Sequence, residues 1–266
     1  MKQRIVTGVV AGGLFLGLCL VGGLWYPALI MLMALVGYYE FAKMSTGAPF
    51  HAEAWIGYAG VAYLTFPWQV WDLEFPIPPQ HAIWLVLLLL LCMTVLTKNE
   101  INIRQASLLL LGAVYVGLGF YYIAISRDTP DGQGLFWTFL LLLSIWGSDA
   151  GAYFVGKAFG KNKLWPAISP NKTIEGAVGG VLIAILIAFG ISLAAPELLT
   201  PQRAILIGLA SSVIGQMGDL VQSAYKRMYG IKDSGSILPG HGGILDRCDS
   251  WLAVFPFVHI LFLLPY

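Results

Sequence analysis

The sequence predicts an all-α, polytopic integral membrane protein with about nine transmembrane helices and a polar active site at its cytoplasmic side. Three observations carry this. The 266 residues are 58% hydrophobic and only 11% charged, where a soluble domain is nearer about 25% charged. Mean hydropathy is +0.77. Apolar runs long enough for a hydrocarbon core of about 30 Å, roughly 20 helical residues each, recur along the whole length.

The first run, at about 5–24, follows Lys2 and Arg4 as a secretory signal would. Its apolar part exceeds the usual 7 to 15 residues or so and no A-x-A site follows, so a retained helix is expected. Runs at 26–44, 54–71, 82–97 and 106–125 succeed one another with short connections and almost no polar residue inside a span. Residues 1–125 therefore read as a mainly structural, lipid-facing scaffold. Four more spans follow, at 134–158, 174–195, 203–228 and 250–265. No internal repeat or linker marks a boundary, so 1–266 is expected to form one membrane domain with its chemistry in 134–266. Cys19 and Cys92 lie within spans and Cys248 in a polar stretch. With no CxxC pair, neither a disulfide framework nor a zinc site is expected.

Charge placement sets the expected topology. With the N-terminus inside and nine alternating spans, only Arg127 and Arg203 of the 15 lysines and arginines fall outside, a strong positive-inside bias. The C-terminus is then outside. A net charge of +1 gives no reason to expect a nucleic-acid partner. The two long polar connections, 157–173 and 228–249, face the cytoplasm, and both are too glycine-rich to be plain connectors.

Carboxylates inside apolar spans are costly and usually functional. Asp149 in the sixth span and Asp219 in the eighth both fall about 21 to 24 Å from the outer end at about 1.5 Å per residue. That depth is just below the lipid phosphates on the inner side. On a helix, Gln222, Ser223, Lys226 and Arg227 extend the Asp219 stripe. Two readings of Lys226 and Arg227 stand, a ligand-binding face or snorkelling at a helix end. In "HGGILDRCD", Gly240, Gly242 and Gly243 flank His241 and let the backbone approach a ligand or present N–H groups to an anion. Asp246 and Asp249, one turn apart, can turn toward one point, although Asp249 also suits a helix cap. Carboxylates gathered near cations with a single loop histidine suit a hard cation such as Mg²⁺. In "ISPNKTIEG", Ser169 is the expected N-cap, Pro170 the first helical residue and Lys172 a first-turn cation that a bound phosphate would make favourable.

The stretch "SAYKRMYGIKDSGSILPGHGGILDRCD" resembles the signature of the phosphatidate cytidylyltransferases (CDP-diacylglycerol synthases): S-x-x-K-R, four residues, K-D, a small residue, then P-x-H-G-G-x-x-D-R-x-D. Every charged position of that pattern is filled. "SDAGAYFVGKAFGK" and "SPNKTIEG" are similar to the family's second cytoplasmic segment, and the likeness spans about the last 120 residues. Tyr225 and Cys248 stand where the pattern more often has an aliphatic residue or Phe, and an aliphatic residue or Thr. Neither ligates Mg²⁺ strongly, so both read as packing variation.

The resemblance implies transfer of the cytidylyl group of CTP to phosphatidate, giving CDP-diacylglycerol and pyrophosphate, in a bacterial inner membrane. On it, Asp219, Asp246 and Asp249 are the expected Mg²⁺ ligands, and a second cation, monovalent or divalent, can share them. Lys226, Arg227 and Lys232 are expected on nucleotide phosphates or pyrophosphate. Asp233 and His241 either order the loop or contact the nucleotide. Ser223, Lys172, Asp149, Gly242, Gly243 and Arg247 are expected to contact substrate. Membrane lipids are the implied surroundings, and a homodimer is compatible. Two rivals are an ion-coupled transporter, which needs midplane carboxylates and broken helices in matching halves, and another membrane phosphotransferase acting on a polyprenol or glycolipid. Here the carboxylates lie near one face and no repeat exists, which disfavours the transporter.

Overall fold

The computed structural model describes residues 2–265, without the side chains of residues 2–5 and Gln69. The topology charges Lys2 and Arg4 thus have side chains outside the described residues. Among the described residues nine α-helices follow one another: α1 (Lys2–Val21), α2 (Trp25–Thr46), α3 (Ala52–Thr65), α4 (Pro79–Leu96), α5 (Ile103–Ile125), α6 (Gly134–Phe159), α7 (Ile174–Ala194), α8 (Pro201–Met228) and α9 (Leu245–Ile260). A 3₁₀ turn, Trp68–Trp71, follows α3, and a two-stranded hairpin, β1 (Lys163–Trp165) and β2 (Ser169–Thr173), separates α6 from α7.

Among the described residues six helices, α2, α4, α5, α6, α7 and α8, are long and apolar enough to cross a membrane. The protein is thus a polytopic helical membrane protein. The expected span at 54–71 is shorter as a helix. Pro67 follows α3, Phe66 before it is extended at φ −61°, ψ 136°, and the ring of a proline disfavours helix in the residue ahead of it. α9 starts earlier than expected, at Leu245, has 16 residues and contains Pro256.

The chain divides into two compact units, 1–124 with 233–247 and 125–232 with 248–266. In the first, helix contacts are made by aromatic side chains set against glycines. Tyr38, fully buried, lies where a Cβ at Gly57 would fall, and Phe41 likewise fills the space at Gly112. Tyr26 donates to the Ile123 carbonyl at 3.3 Å. Lipid tails are as apolar as leucine, so such close packing of small residues, rather than hydrophobic exclusion, holds helices together there.

In the second unit α7 packs against α6 and α8 through small residues. A Cβ at Gly208 of α8 would lie 2.7 Å from the Ile185 Cα and 2.8 Å from the Ala184 carbonyl of α7. A buried polar chain crosses the same helices. Ser148 and Ser212 share a hydrogen bond of 2.7 Å, and Gln216 donates to Ser212 Oγ at 2.9 Å and to the Ala177 carbonyl at 3.2 Å. At the opposite end from the hairpin, Arg203 donates to the Leu263 carbonyl at 2.7 Å and lies 4.8 Å from the centre of the Trp137 ring.

The entry into α7 corrects one expectation. Ser169 and Pro170 are strand residues, paired in an antiparallel register of Lys163 with Thr173 and Trp165 with Ser169. The N-cap is Thr173, whose hydroxyl accepts from the Gly176 N–H at 3.1 Å. Thr ranks only a little below serine as a cap, and capping at 173 lets residues 169–173 keep their strand pairing. Glu175 completes the junction by accepting from the Asn162 side chain at 2.7 Å and the Lys161 N–H at 3.1 Å. Lys172 is therefore a strand residue next to the helix, not part of its first turn.

Candidate active site

The stripe expected on α8 forms. Ser223 Oγ donates to Asp219 Oδ1 at 3.2 Å, one turn away. Gln222 is fully buried and Ser223 nearly so. Lys226 is only 8% exposed, which is not the posture of a snorkelling cation. Arg227, the next residue, is exposed. Its Nε donates to the Ile168 carbonyl of the hairpin turn at 3.3 Å and its Nη1 to the Ile231 carbonyl at 3.1 Å.

The hairpin brings Lys172 onto this stripe, with its Nζ 2.7 Å from Asp219 Oδ2. Asp149 of α6 lies within electrostatic range of both Asp219 and Lys172. Asp249 of α9 lies within range of Asp219, Asp149 and Lys226. Gly218 permits this approach of α9 to α8, because a Cβ there would lie 2.6 Å from the Asp249 carbonyl oxygen. Asp249 also accepts from the Ser250 N–H at 2.7 Å. The second unit thus gathers three carboxylates and two ammonium groups from α6, the hairpin, α8 and α9. Three like charges repel one another at such range unless cations lie among them, and the two lysines supply part of that compensation.

The first unit holds the rest of the polar stretch. Asp246 Oδ2 accepts from the Ser234 N–H at 2.7 Å, the Ser234 hydroxyl at 3.0 Å and the Gly243 N–H at 2.9 Å. Gly240 and Gly242 have φ of +79° and +85°, a region that glycine enters without steric cost. The backbone there doubles back, with the Leu238 N–H on the Gly242 carbonyl and the His241 N–H on the Leu238 carbonyl. The anion that the Gly243 N–H meets is thus the protein's own Asp246. His241 Nδ1 is buried with no hydrogen-bond partner among the described residues. Asp233 and Arg247 are exposed, as is Lys232, the last residue of the second unit before the chain enters the first.

Glu40 is the residue that sequence reasoning missed. It sits in α2, inside what reads as scaffold, and is fully buried. Its carboxylate accepts from Ser234 Oγ at 2.9 Å, the Ile244 N–H at 2.9 Å and the Leu245 N–H at 3.0 Å. The signal was present, since a glutamate within the second apolar run carries the same insertion cost that singled out Asp149 and Asp219.

Among the described residues no group of three or more His, Cys, Asp or Glu side chains is placed to hold a metal ion. The donor chemistry of the second unit nevertheless fits Mg²⁺, which takes oxygen ligands and is commonly held by only one or two carboxylates plus waters and substrate phosphates.

A model of the "Cytidylyltransferase family" matches residues 2–264. The chain belongs to that family. It is 44% identical over 262 residues to a phosphatidate cytidylyltransferase of Bacillus subtilis, covering 98% of this chain and 97% of that one. It is 36% identical over 261 residues to the protein of the same name from Staphylococcus haemolyticus, and 37% identical over 261 residues to that of Staphylococcus epidermidis, each alignment covering 98% of both chains. The family match spans both units and so includes α1 to α5, where the sequence signature was silent. In this cytidylyltransferase-family chain the charged cluster around Asp219 is therefore the first place to look for nucleotide chemistry.

Proposed function

We propose that this protein transfers the cytidylyl group of CTP to phosphatidate, releasing pyrophosphate and forming CDP-diacylglycerol. The observation that carries the reading is the Lys172–Asp219 pair, at 2.7 Å, with Asp149, Asp249 and Lys226 in electrostatic range, in a chain of the cytidylyltransferase family. An oxygen of the phosphatidate phosphate attacks the α-phosphorus of CTP. The bond from that phosphorus to the bridging oxygen breaks, and pyrophosphate leaves with the electron pair. The attacking phosphate is already ionised near neutral pH, so no general base is required. What the protein must supply is alignment and charge neutralisation, as in phosphoryl transfer generally.

Lys226 and Lys172 are suited to bind phosphate oxygens, with Ser223 orienting Asp219. Asp219 and Asp249 would hold Mg²⁺, which neutralises triphosphate charge when bound; Asp149 would set the field around them. Asp246, the third ligand expected from the signature, is drawn toward Ser234 and Gly243. Arg227 would stiffen the hairpin rather than hold phosphate. Lys232, Asp233, His241, Gly242, Gly243 and Arg247 keep the substrate-side roles that the signature suggests.

The finer topology belongs to the same reading. Nine spans, a cytoplasmic N-terminus and an outward C-terminus in a bacterial inner membrane put the polar segments on the side where CTP is found, and the chain works as one functional domain. The test is direct. Purified protein in nanodiscs, given labelled CTP and phosphatidate, should form CDP-diacylglycerol and pyrophosphate in a 1:1 ratio and stop in EDTA. Turnover of a polyprenol or glycolipid in place of phosphatidate, or ion flux without CTP turnover, would replace this reading by one of its rivals.

A further inference from the structure

We infer that Glu40 is a positioning residue for this reaction, acting through the segment that leads into α9; the inference rests on the proposed function. Glu40 is remote in sequence from every expected site residue and lies in a helix of the apolar half. Yet its carboxylate spans two separate parts of the polar stretch, taking the Ser234 hydroxyl at one end and the Ile244 and Leu245 N–H groups at the other.

The first N–H groups of a helix have no partner within it. In α9 an acceptor from 205 residues earlier in the chain serves the Leu245 N–H. A negative charge at that position is also favoured by the helix dipole. Asp246 grips the same segment from within, on Ser234 and Gly243. The Ser234 hydroxyl lies within 3.0 Å of both carboxylates but has one proton, so it can donate to only one of them at a time. Two carboxylates therefore clasp one serine and one helix start.

The glycines follow from this clasp. A Cβ at Gly235 would lie 2.5 Å from Glu40 Oε1, and one at Gly243 would fall against both carboxylate oxygens. A side chain at either position would push the Glu40 carboxylate off its donors, so the space is taken independently of any ligand. The clasped segment contains His241 and opens the helix that carries Asp249 one turn after Asp246. Loosening Glu40 should therefore disturb these groups without removing any of them.

The experiment compares wild type, Glu40→Gln and Ser234→Ala in nanodiscs by hydrogen exchange and by steady-state kinetics. Glutamine keeps the volume but loses the charge and one acceptor oxygen. Exchange at Ile244 and Leu245 should rise about tenfold or more, with exchange elsewhere unchanged, as for a local opening. The rate kcat should fall about tenfold or more, since small misplacements of reacting groups cost that much. Ser234→Ala should shift both readouts the same way by less, and it keeps the test open if Glu40→Gln does not fold. Wild-type kinetics in Glu40→Gln, or exchange that rises throughout the protein, would overturn the positioning role. A wild type that makes no CDP-diacylglycerol would instead overturn the function, and unchanged exchange in an active Glu40→Gln protein would overturn the clasp alone.

Discussion

Replacing Asp219 by asparagine separates the two roles that an ion pair can have. The substitution preserves shape and removes one charge 2.7 Å from Lys172. At that distance Coulomb's law gives about 6 kcal/mol for an effective dielectric constant of 20 and about 1.5 kcal/mol for water. The two side chains are 26% and 33% exposed, so solvent screening brings the net contribution to stability down to about 1 kcal/mol or less. Such a loss is small beside the 5 to 15 kcal/mol or so of a typical fold, and the variant should remain folded. Turnover should fall at least about a hundredfold, which corresponds to about 2.7 kcal/mol in the barrier. That is more than the pair contributes to stability, so loss of folded protein cannot produce it. The assay is the initial rate of labelled CDP-diacylglycerol formation against Mg²⁺ concentration, with thermal unfolding followed on the same preparations. Lys172→Ala and the double variant complete a cycle, in which coupling should be about 1 kcal/mol or less in stability and larger in the barrier. An Asp219→Asn protein within about threefold of wild-type turnover, with the same Mg²⁺ dependence, would show that Asp219 lowers the barrier by less than about 1 kcal/mol and takes no part in the chemistry.

Other outcomes follow from single contacts. Ser236, exposed beside the clasp, replaced by cysteine in a chain lacking Cys19, Cys92 and Cys248, should react with an impermeant thiol reagent only from the cytoplasmic face; Gly235 is unsuitable, because its side chain would meet Glu40. Gly208→Ala should lower the unfolding temperature by the equivalent of about 1 to 3 kcal/mol, since the atoms it meets are backbone of α7 and cannot rotate away; an unchanged midpoint would show that the helices separate freely. For Asp131, burial raises the carboxyl but hydrogen bonds from Thr129, Trp137 and the Gln133 N–H outweigh it and hold it below its ordinary range. A depressed folded value means stability that is present above the ordinary aspartate range and lost as pH falls through the folded value. Wild type should thus lose stability on acidification below about pH 4, and Asp131→Asn should lose less over that window.

Sequence alone determined the solvent class and most helices of this protein, because a bilayer demands long apolar runs with every backbone group paired internally. It also marked Asp149, Asp219 and the Lys226 stripe, because charge in an apolar run is costly enough to stand out and helical spacing fixes which residues share a face. It could not decide where a short apolar stretch stops being a helix, as at Pro67, or which of two good caps a chain uses, as at Ser169 and Thr173. Those outcomes depend on energies of about 1 kcal/mol that local pairing can reverse. Nor could it pair residues distant in the chain. That Lys172 meets Asp219 follows from a hairpin whose register is set by Thr173 and Glu175. That Glu40 holds the start of α9 follows from helix packing across 205 positions. The glycines near His241 show the division most clearly. Their presence was legible as a place where the backbone approaches a ligand or an anion, and the Gly243 N–H does meet Asp246 three residues on; only the tertiary structure showed that the space beside Gly243 is filled by the Glu40 carboxylate, because a buried carboxylate must find its donors wherever the fold brings them.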